Sequence, residues 1–225
     1  MAAVSGPMTY AAVEQTAGRH GLIITGALHP HECHDPRDAT GTLILLGTGP
    51  TFWPIFTASA EGTDGEPDPV DRWSKRVIGA LAEDVEAECR FPSDGPPYPP
   101  FIDWALQSGR AFQSPVGMLV HDAVGMMISY RGALLFREAF PVPAPAGAKP
   151  CEICASRACT SACPIGALSA DAPYDVASCH QHLDSDAGQD CMQNGCAARR
   201  ACPLSAGARR EPAQSALHMR SFHPS

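Results

Sequence analysis

CEICASRACTSACP, residues 151–164, places four cysteines in fourteen residues and ends on proline. The spacing is C-x2-C-x4-C-x3-C-P, carried by Cys151, Cys154, Cys159, Cys163 and Pro164. A second, looser group follows as C-x11-C-x4-C-x5-C-P: Cys179, Cys191, Cys196, Cys202 and Pro203. Two of the 10 cysteines, Cys33 and Cys89, stand apart. That uneven placement divides the 225-residue chain into a thiol-rich C-terminal unit and a larger N-terminal one. The segment PVPAPAGAKP, 141–150, reads as an extended Pro/Ala linker between them. The expected domains are therefore 1–140, the linker 141–150, and 151–225.

Hydrophobic residues make up 44% of the chain and charged residues 18%, as in an ordinary globular protein. A net charge of -8 argues against nucleic-acid binding, which needs a basic face. The start, MAAVSGPMTYAAV, has neither a basic nor an apolar targeting region. No apolar run reaches the length of a membrane span. A cytoplasmic location without membrane partners is the expectation. A reducing compartment makes the cysteines a metal site rather than a disulfide framework.

The bacterial ferredoxin run is C-x2-C-x2-C-x3-C-P, and its fourth cysteine ligates the other of two clusters. Residues 151–164 differ from it by two extra residues in the middle gap. Thiolates are soft ligands suited to iron–sulfur clusters and to zinc. A tight loop brings three sulfurs round one centre. Proline after the fourth cysteine is expected to open a helix, IGAL after Pro164 and LSAGA after Pro203, with its positive end facing the anionic centre. The eight cysteines then divide into Cys151, Cys154, Cys159 and Cys202 for one 4Fe-4S cluster, and Cys163, Cys179, Cys191 and Cys196 for a second. Two structural zinc sites with four cysteines each are the alternative. Zinc needs neither the paired Cys-Pro ends nor the interleaved fours, so two clusters are the favoured reading. The unit has too few large apolar residues for a core of its own, which also points to a metal staple. Arg157, Arg199 and Arg200 lie within the ligand loops. They read as solvated surface or, functionally, as charges that offset the clusters. His180 and His182 follow Cys179 and are expected outside the ligand set.

The N-terminal part mixes helices and strands. TYAAVEQTAGRHG predicts a short helix, and LIITGAL and TLILLG predict strands. From Asp68 to about Cys89, Val70, Trp73, Val77, Leu81 and Val85 form one apolar stripe of a helix, with Asp68 as its cap and Pro69 in its first turn. FIDWALQSG predicts a shorter helix, and residues 118–136 predict a strand, a turn and further strands. The pattern is α+β. HPHECH, 29–34, reads as a polar loop rather than a metal site. LGTGP lacks the third glycine of a dinucleotide turn, because Phe52 occupies that place. Met118, Met126 and Met127 read as core residues. Tyr130 and His121 are candidate proton donors.

The segment from Cys151 to about Pro203 resembles the two-cluster ferredoxin-like domain of epoxyqueuosine reductase and the reductive dehalogenases, and a group of bacterial ferredoxin-like proteins with the same x4 gap. In the enzymes that domain follows a corrinoid-binding domain on a nitroreductase-like scaffold. DPVDRWSKRVIGALAED and VHDAVGMMISYRGALLF are similar in pattern and order to segments of the cobalamin-processing protein MMACHC (CblC). Here Asp122 replaces a proline of that family, and Met126-Met127 replace Gly-Trp. The resemblance implies a nitroreductase/MMACHC-like N-terminal α+β domain with a small, mostly helical and loop C-terminal ferredoxin-like domain. It also implies a cobalamin-facing set of His121, Gly125, Tyr130, Arg131 and Gly132.

The expected function is a redox protein, a corrinoid-linked oxidoreductase. Two 4Fe-4S clusters take electrons from a donor such as a ferredoxin or flavodoxin. They pass them to a corrinoid or small-molecule ligand on the N-terminal domain. A non-catalytic electron carrier or corrinoid-trafficking module is the alternative, and a structural zinc protein the second alternative.

Overall fold

The structure, a computed structural model, describes residues 8–29, 41–145 and 147–224. The HPHECH reading therefore lies outside the described residues except for His29, whose Nδ1 sits 3.1 Å from the Gly41 carbonyl. In chain order the elements are α1 (Tyr10–Gly18), β1 (Leu22–Leu28), β2 (Thr42–Thr48), α2 (Phe52–Thr57), α3 (Ala60–Thr63), α4 (Pro69–Asp84), β3 (Glu88–Arg90), α5 (Phe101–Gln107), β4 (Ala111–Gln113), β5 (Leu119–His121) and β6 (Tyr130–Phe136). Then come α6 (Val176–Leu183), α7 (Gln189–Asn194), α8 (Ala197–Ala201) and α9 (Pro212–Phe222). The mixture of helices with antiparallel strands is α+β. Among the described residues no helix is long and apolar enough to cross a membrane.

The chain forms two compact units, 1–111 with 129–146, and 112–128 with 147–225. A single cut at 141–150 therefore differs from the structure, because residues 112–128 leave the first unit and pack into the second.

The first unit is a four-stranded antiparallel sheet in the order β1-β2-β6-β3. Every residue of β2, TLILLGT, is buried, as a continuous apolar strand at the centre of a sheet requires. The apolar stripe of α4 buries Val70, Trp73, Val77 and Leu81, and the helix packs on β6 and β3. Trp73 meets Phe52 edge-on, with ring centroids 5.0 Å apart. The helix ends sooner than its stripe predicts. Val85 is still buried, but Glu86 takes a left-handed φ of 54°, and Glu88–Arg90 pairs with β6 instead. The expected cap also differs. Asp68 has a φ of 51° and makes no side-chain capping bond, while its carbonyl accepts from the Arg72 N–H at 3.0 Å.

The Glu61 carboxylate lies buried against Arg76, with oxygens 2.5 and 2.8 Å from the guanidinium. These hydrogen bonds hold its pKa down at about 2 against the usual 4.5. A depressed acid stabilises the fold above its unfolded pKa and loses that contribution as pH falls through the folded one. Stability should therefore decline between about pH 4.5 and pH 2. E61Q should flatten that decline in denaturant midpoints measured across this range. An unchanged slope would deny the pair this role.

The second unit has two small cores. In one, Val116, Val120 and Met126 pack with Leu168, Ala198 and Cys159. In the other, Leu183, Cys191 and Met219 pack together. The apolar residues that segment 151–225 lacks are thus supplied by 112–128. Met126 and Met127 are buried and Met118 partly so, as core residues. The pair β4–β5 is closed by the Ser114 N–H donating to the Met118 carbonyl at 2.8 Å. Further along, α7 packs on α9, and α8 packs on a 3-10 turn at Ala158–Thr160.

Candidate metal centres

The first cysteine loop turns tightly because Arg157 adopts a left-handed φ of 42° and leads into the turn that carries Cys159. Cys151, Cys154 and Cys159 come from this loop, and Cys202 arrives from the end of α8. All four line one cavity of about 310 Å³, together with Ser114 and Met126. Burial pushes the Cys151 thiol up, and the neighbouring sulfurs of Cys159, Cys202 and Cys154 push it further. Cys159 is raised by burial and then by Cys202 and Cys154. Cys154 goes the other way. The Ser156 hydroxyl, 3.6 Å from its sulfur, and the backbone N–H of Arg157 favour its thiolate.

Cys163, Cys179, Cys191 and Cys196 line a second cavity of about 130 Å³, with Tyr174 and His182. Cys179 sits in α6, Cys191 in α7, and Cys196 immediately before α8. Burial raises Cys179, and the sulfurs of Cys196, Cys163 and Cys191 raise it further. Burial also raises Cys191, against a hydrogen bond from the Ala197 N–H. Both cavities exceed the ~10–15 Å³ that one water needs, so neither is a packing gap.

The structure thus brings together the same two fours that the spacing suggests. The cysteines among the described residues form no disulfides. Among the described residues, no group of three or more His, Cys, Asp or Glu side chains is arranged to hold a single metal ion.

The donor set fits an iron–sulfur group on chemical grounds. Four soft thiols face each cavity. Burial and neighbouring sulfurs oppose ionisation of Cys151, Cys159, Cys179 and Cys191, and a cationic metal core beside them would reverse that. Two polar atoms point the same way. Ser114 Oγ is buried, borders the first cavity, and has no hydrogen-bond partner within the protein. His182 Nε2 is likewise buried without a partner beside the second cavity. Buried donors without partners are costly, and sulfur acceptors would satisfy them. His180 lines neither cavity, although its Nε2 is also buried without a partner; its ring lies 4.8 Å from that of Phe222 and 4.5 Å from that of His223.

The arginines divide. Arg199 is half-buried and lines the second cavity. Its Nε donates to the Met126 carbonyl at 2.6 Å and its Nη2 to the Ile128 carbonyl at 3.2 Å. Burial lowers its pKa, while Cys196 favours its charge. The solvated-surface reading does not hold for it. Arg157 is exposed. Arg200 is exposed too, donating to the Gly195 carbonyl and pairing with Asp190.

The expected helix after Pro164 is absent. The Gly166 N–H donates to the Cys163 carbonyl at 3.1 Å, and Gly166 has a φ of 69°, so the chain turns instead. Pro203 does open a helical turn, a 3-10 turn over Pro203–Ala208. Tyr174 and Ser114 are site residues that the sequence reading misses. Tyr174 lies five positions before Cys179, and Ser114 lies far from any cysteine in sequence, so spacing carries no signal for either.

The residues assigned by resemblance to a corrinoid do not form one group within either unit. His121 and Gly125 belong to the second unit, and Tyr130, Arg131 and Gly132 to the first. His121 is fully buried, with Nδ1 accepting from the Ala123 N–H at 3.1 Å. A Cβ on Gly125 would lie 2.4 Å from the Ser205 nitrogen, and one on Gly132 would lie 2.9 Å from Ile78 Cδ1. Arg131 donates to its neighbour's carbonyl at 2.7 Å and pairs with Asp71 at 3.0 Å. The space beside both glycines is filled by the chain's own atoms, and no step is derived through a corrinoid. No protein-family model matches the chain, and no curated protein matches it.

Proposed function

We propose that this chain is an iron–sulfur electron-transfer protein whose second unit holds two 4Fe-4S clusters. The carrying observation is the gathering of eight thiols into two fours, each round its own cavity in one compact unit. When bound, the clusters supply one-electron transfer. Cys151, Cys154, Cys159 and Cys202 hold one, and Cys163, Cys179, Cys191 and Cys196 hold the other. Ser114 and His182 offer hydrogen bonds to the sulfurs, and Arg199 balances charge at the second site. The apolar walls, Val120 and Met126 at one site and Leu183 and Met219 at the other, limit water access.

The finer architecture belongs to the same proposal: a ferredoxin-like second unit, and a first unit of the nitroreductase/MMACHC type. The donor is a one-electron carrier of the ferredoxin or flavodoxin class. Anaerobic titration of the full chain with dithionite tests the function. Uptake of about two electrons per chain, one for each cluster, is expected, with bleaching of a broad visible absorbance. A colourless chain that takes up none would overturn it.

A further inference from the structure

The second unit holds a third, more open cavity of about 710 Å³, apart from the two that the thiols surround. Its walls come from that unit alone: the β4–β5 hairpin, the first cysteine loop, and residues 169–174. The volume lies within the ~300–1,000 Å³ of small-molecule sites. Two backbone bonds fix the hairpin wall. The Ser114 N–H donates to the Met118 carbonyl at 2.8 Å, and the Gly117 N–H donates to the Ser114 carbonyl at 3.0 Å. The cavity shares Cys151 with the cavity of the first four thiols, and it shares Met118 and Tyr174 with that of the second four. A molecule seated there borders both candidate centres.

The walls state what kind of molecule that is. Val116 and Met118 offer apolar surface, and Tyr174 an aromatic ring that stacks with Phe222, centroids 6.4 Å apart and planes 16° apart. A flat conjugated ring packs well on such groups. Arg157 is exposed on the same walls, and its guanidinium makes no ion pair or hydrogen bond among the described residues. The carboxylate beside it, Glu152, already has Lys149 3.5 Å away. The uncompensated charge of the walls is therefore positive.

We propose that this cavity binds a flat, conjugated, redox-active small molecule with a negatively charged arm, its ring on Val116, Met118 and Tyr174 and its carboxylate or phosphate on Arg157. The redox-active part of that class rests on the two-cluster reading, because only the centres on either side call for it. An anionic arm accepts charge-assisted, bidentate hydrogen bonds from a guanidinium, which a neutral analogue cannot match.

The test is equilibrium dialysis of the full-length, anaerobically purified chain against phenazine-1-carboxylate and against phenazine-1-carboxamide, which has the same ring and no charge. Both are offered oxidised and without reductant, so binding alone is read. One carboxylate molecule per chain is expected, held about tenfold more tightly than the amide. Arg157→Gln should abolish that preference and leave the affinity for the amide unchanged, and Arg157→Lys should restore part of it. Ala172→Trp, at an exposed position on the walls, should weaken both probes by about tenfold or more. No saturable binding, or a preference that survives R157Q, would overturn the proposal. Should R157Q fail to fold, A172W decides by the same readout, and unchanged affinities there would overturn it too. A chain without acid-labile sulfide that still binds in this pattern would sink the two-cluster reading and leave the site standing.

Discussion

Replacing Cys202 with Ala should leave the chain with about half its iron and acid-labile sulfide, about four of each instead of about eight. The lost half should be the centre whose other ligands are Cys151, Cys154 and Cys159, although these lie far earlier in the chain. The reason is spatial. Cys202 comes off α8 into the cavity that those three line, and its sulfur is among those that raise Cys151 and Cys159. The companion variant Cys191→Ala should lose the other half. The two variants' visible and paramagnetic spectra should add up to that of the unmutated chain. Loss of the second centre from C202A, with the first retained, would break the assignment.

Stripping the metal should cost the second unit its fold while the first survives. Both small cores include cysteines, Cys159 in one and Cys191 in the other. Without metal, those positions hold neutral thiols, and the cross-links that ligation would make between the loops are gone. Structural metal sites in small zinc domains contribute ~10–16 kcal/mol of apparent binding free energy. A whole domain is stable by only ~5–15 kcal/mol. On that scale the metal decides whether the unit folds. The check is amide exchange on the full chain after anaerobic chelation. Residues in α6, α7 and α9 should lose protection, whereas β2 and β6, central in the sheet of the first unit, should keep theirs. Equal protection in the treated and untreated chains would show that the second unit stands without metal.

How much of this was legible in the sequence follows from how local each determinant is. The first three cysteines were readable as one set because short gaps put Cys151, Cys154 and Cys159 into one loop, whereas Cys179, Cys191 and Cys196 sit on separate elements and were grouped only by the interleaved pattern of Cys-Pro ends. The stripe of α4 was readable because its period is helical. Its end was not, because Val85 continues the stripe while Glu86 leaves helical geometry. The unit boundary was misplaced because 112–128 carries no cysteine. Its membership is set by Val116, Val120 and Met126 meeting Leu168 and Ala198, a long-range packing fact. The turn after Pro164 escaped because proline permits a helix start without compelling it, and Gly166 made the turn cheaper. Ser114 owes its place to tertiary contact alone, whereas His182 sits one helical turn after Cys179 in α6. Arg199 looked like surface because a single arginine in a loop usually is. Only the fold reveals the Met126 and Ile128 carbonyls that it serves.

The central claim is tested most directly by measuring iron and acid-labile sulfide per chain on anaerobically purified, full-length protein. The account predicts about eight of each, four for each cluster. Zinc in place of iron, or iron without sulfide, would contradict it, and the cysteines would then hold single ions and carry no electrons.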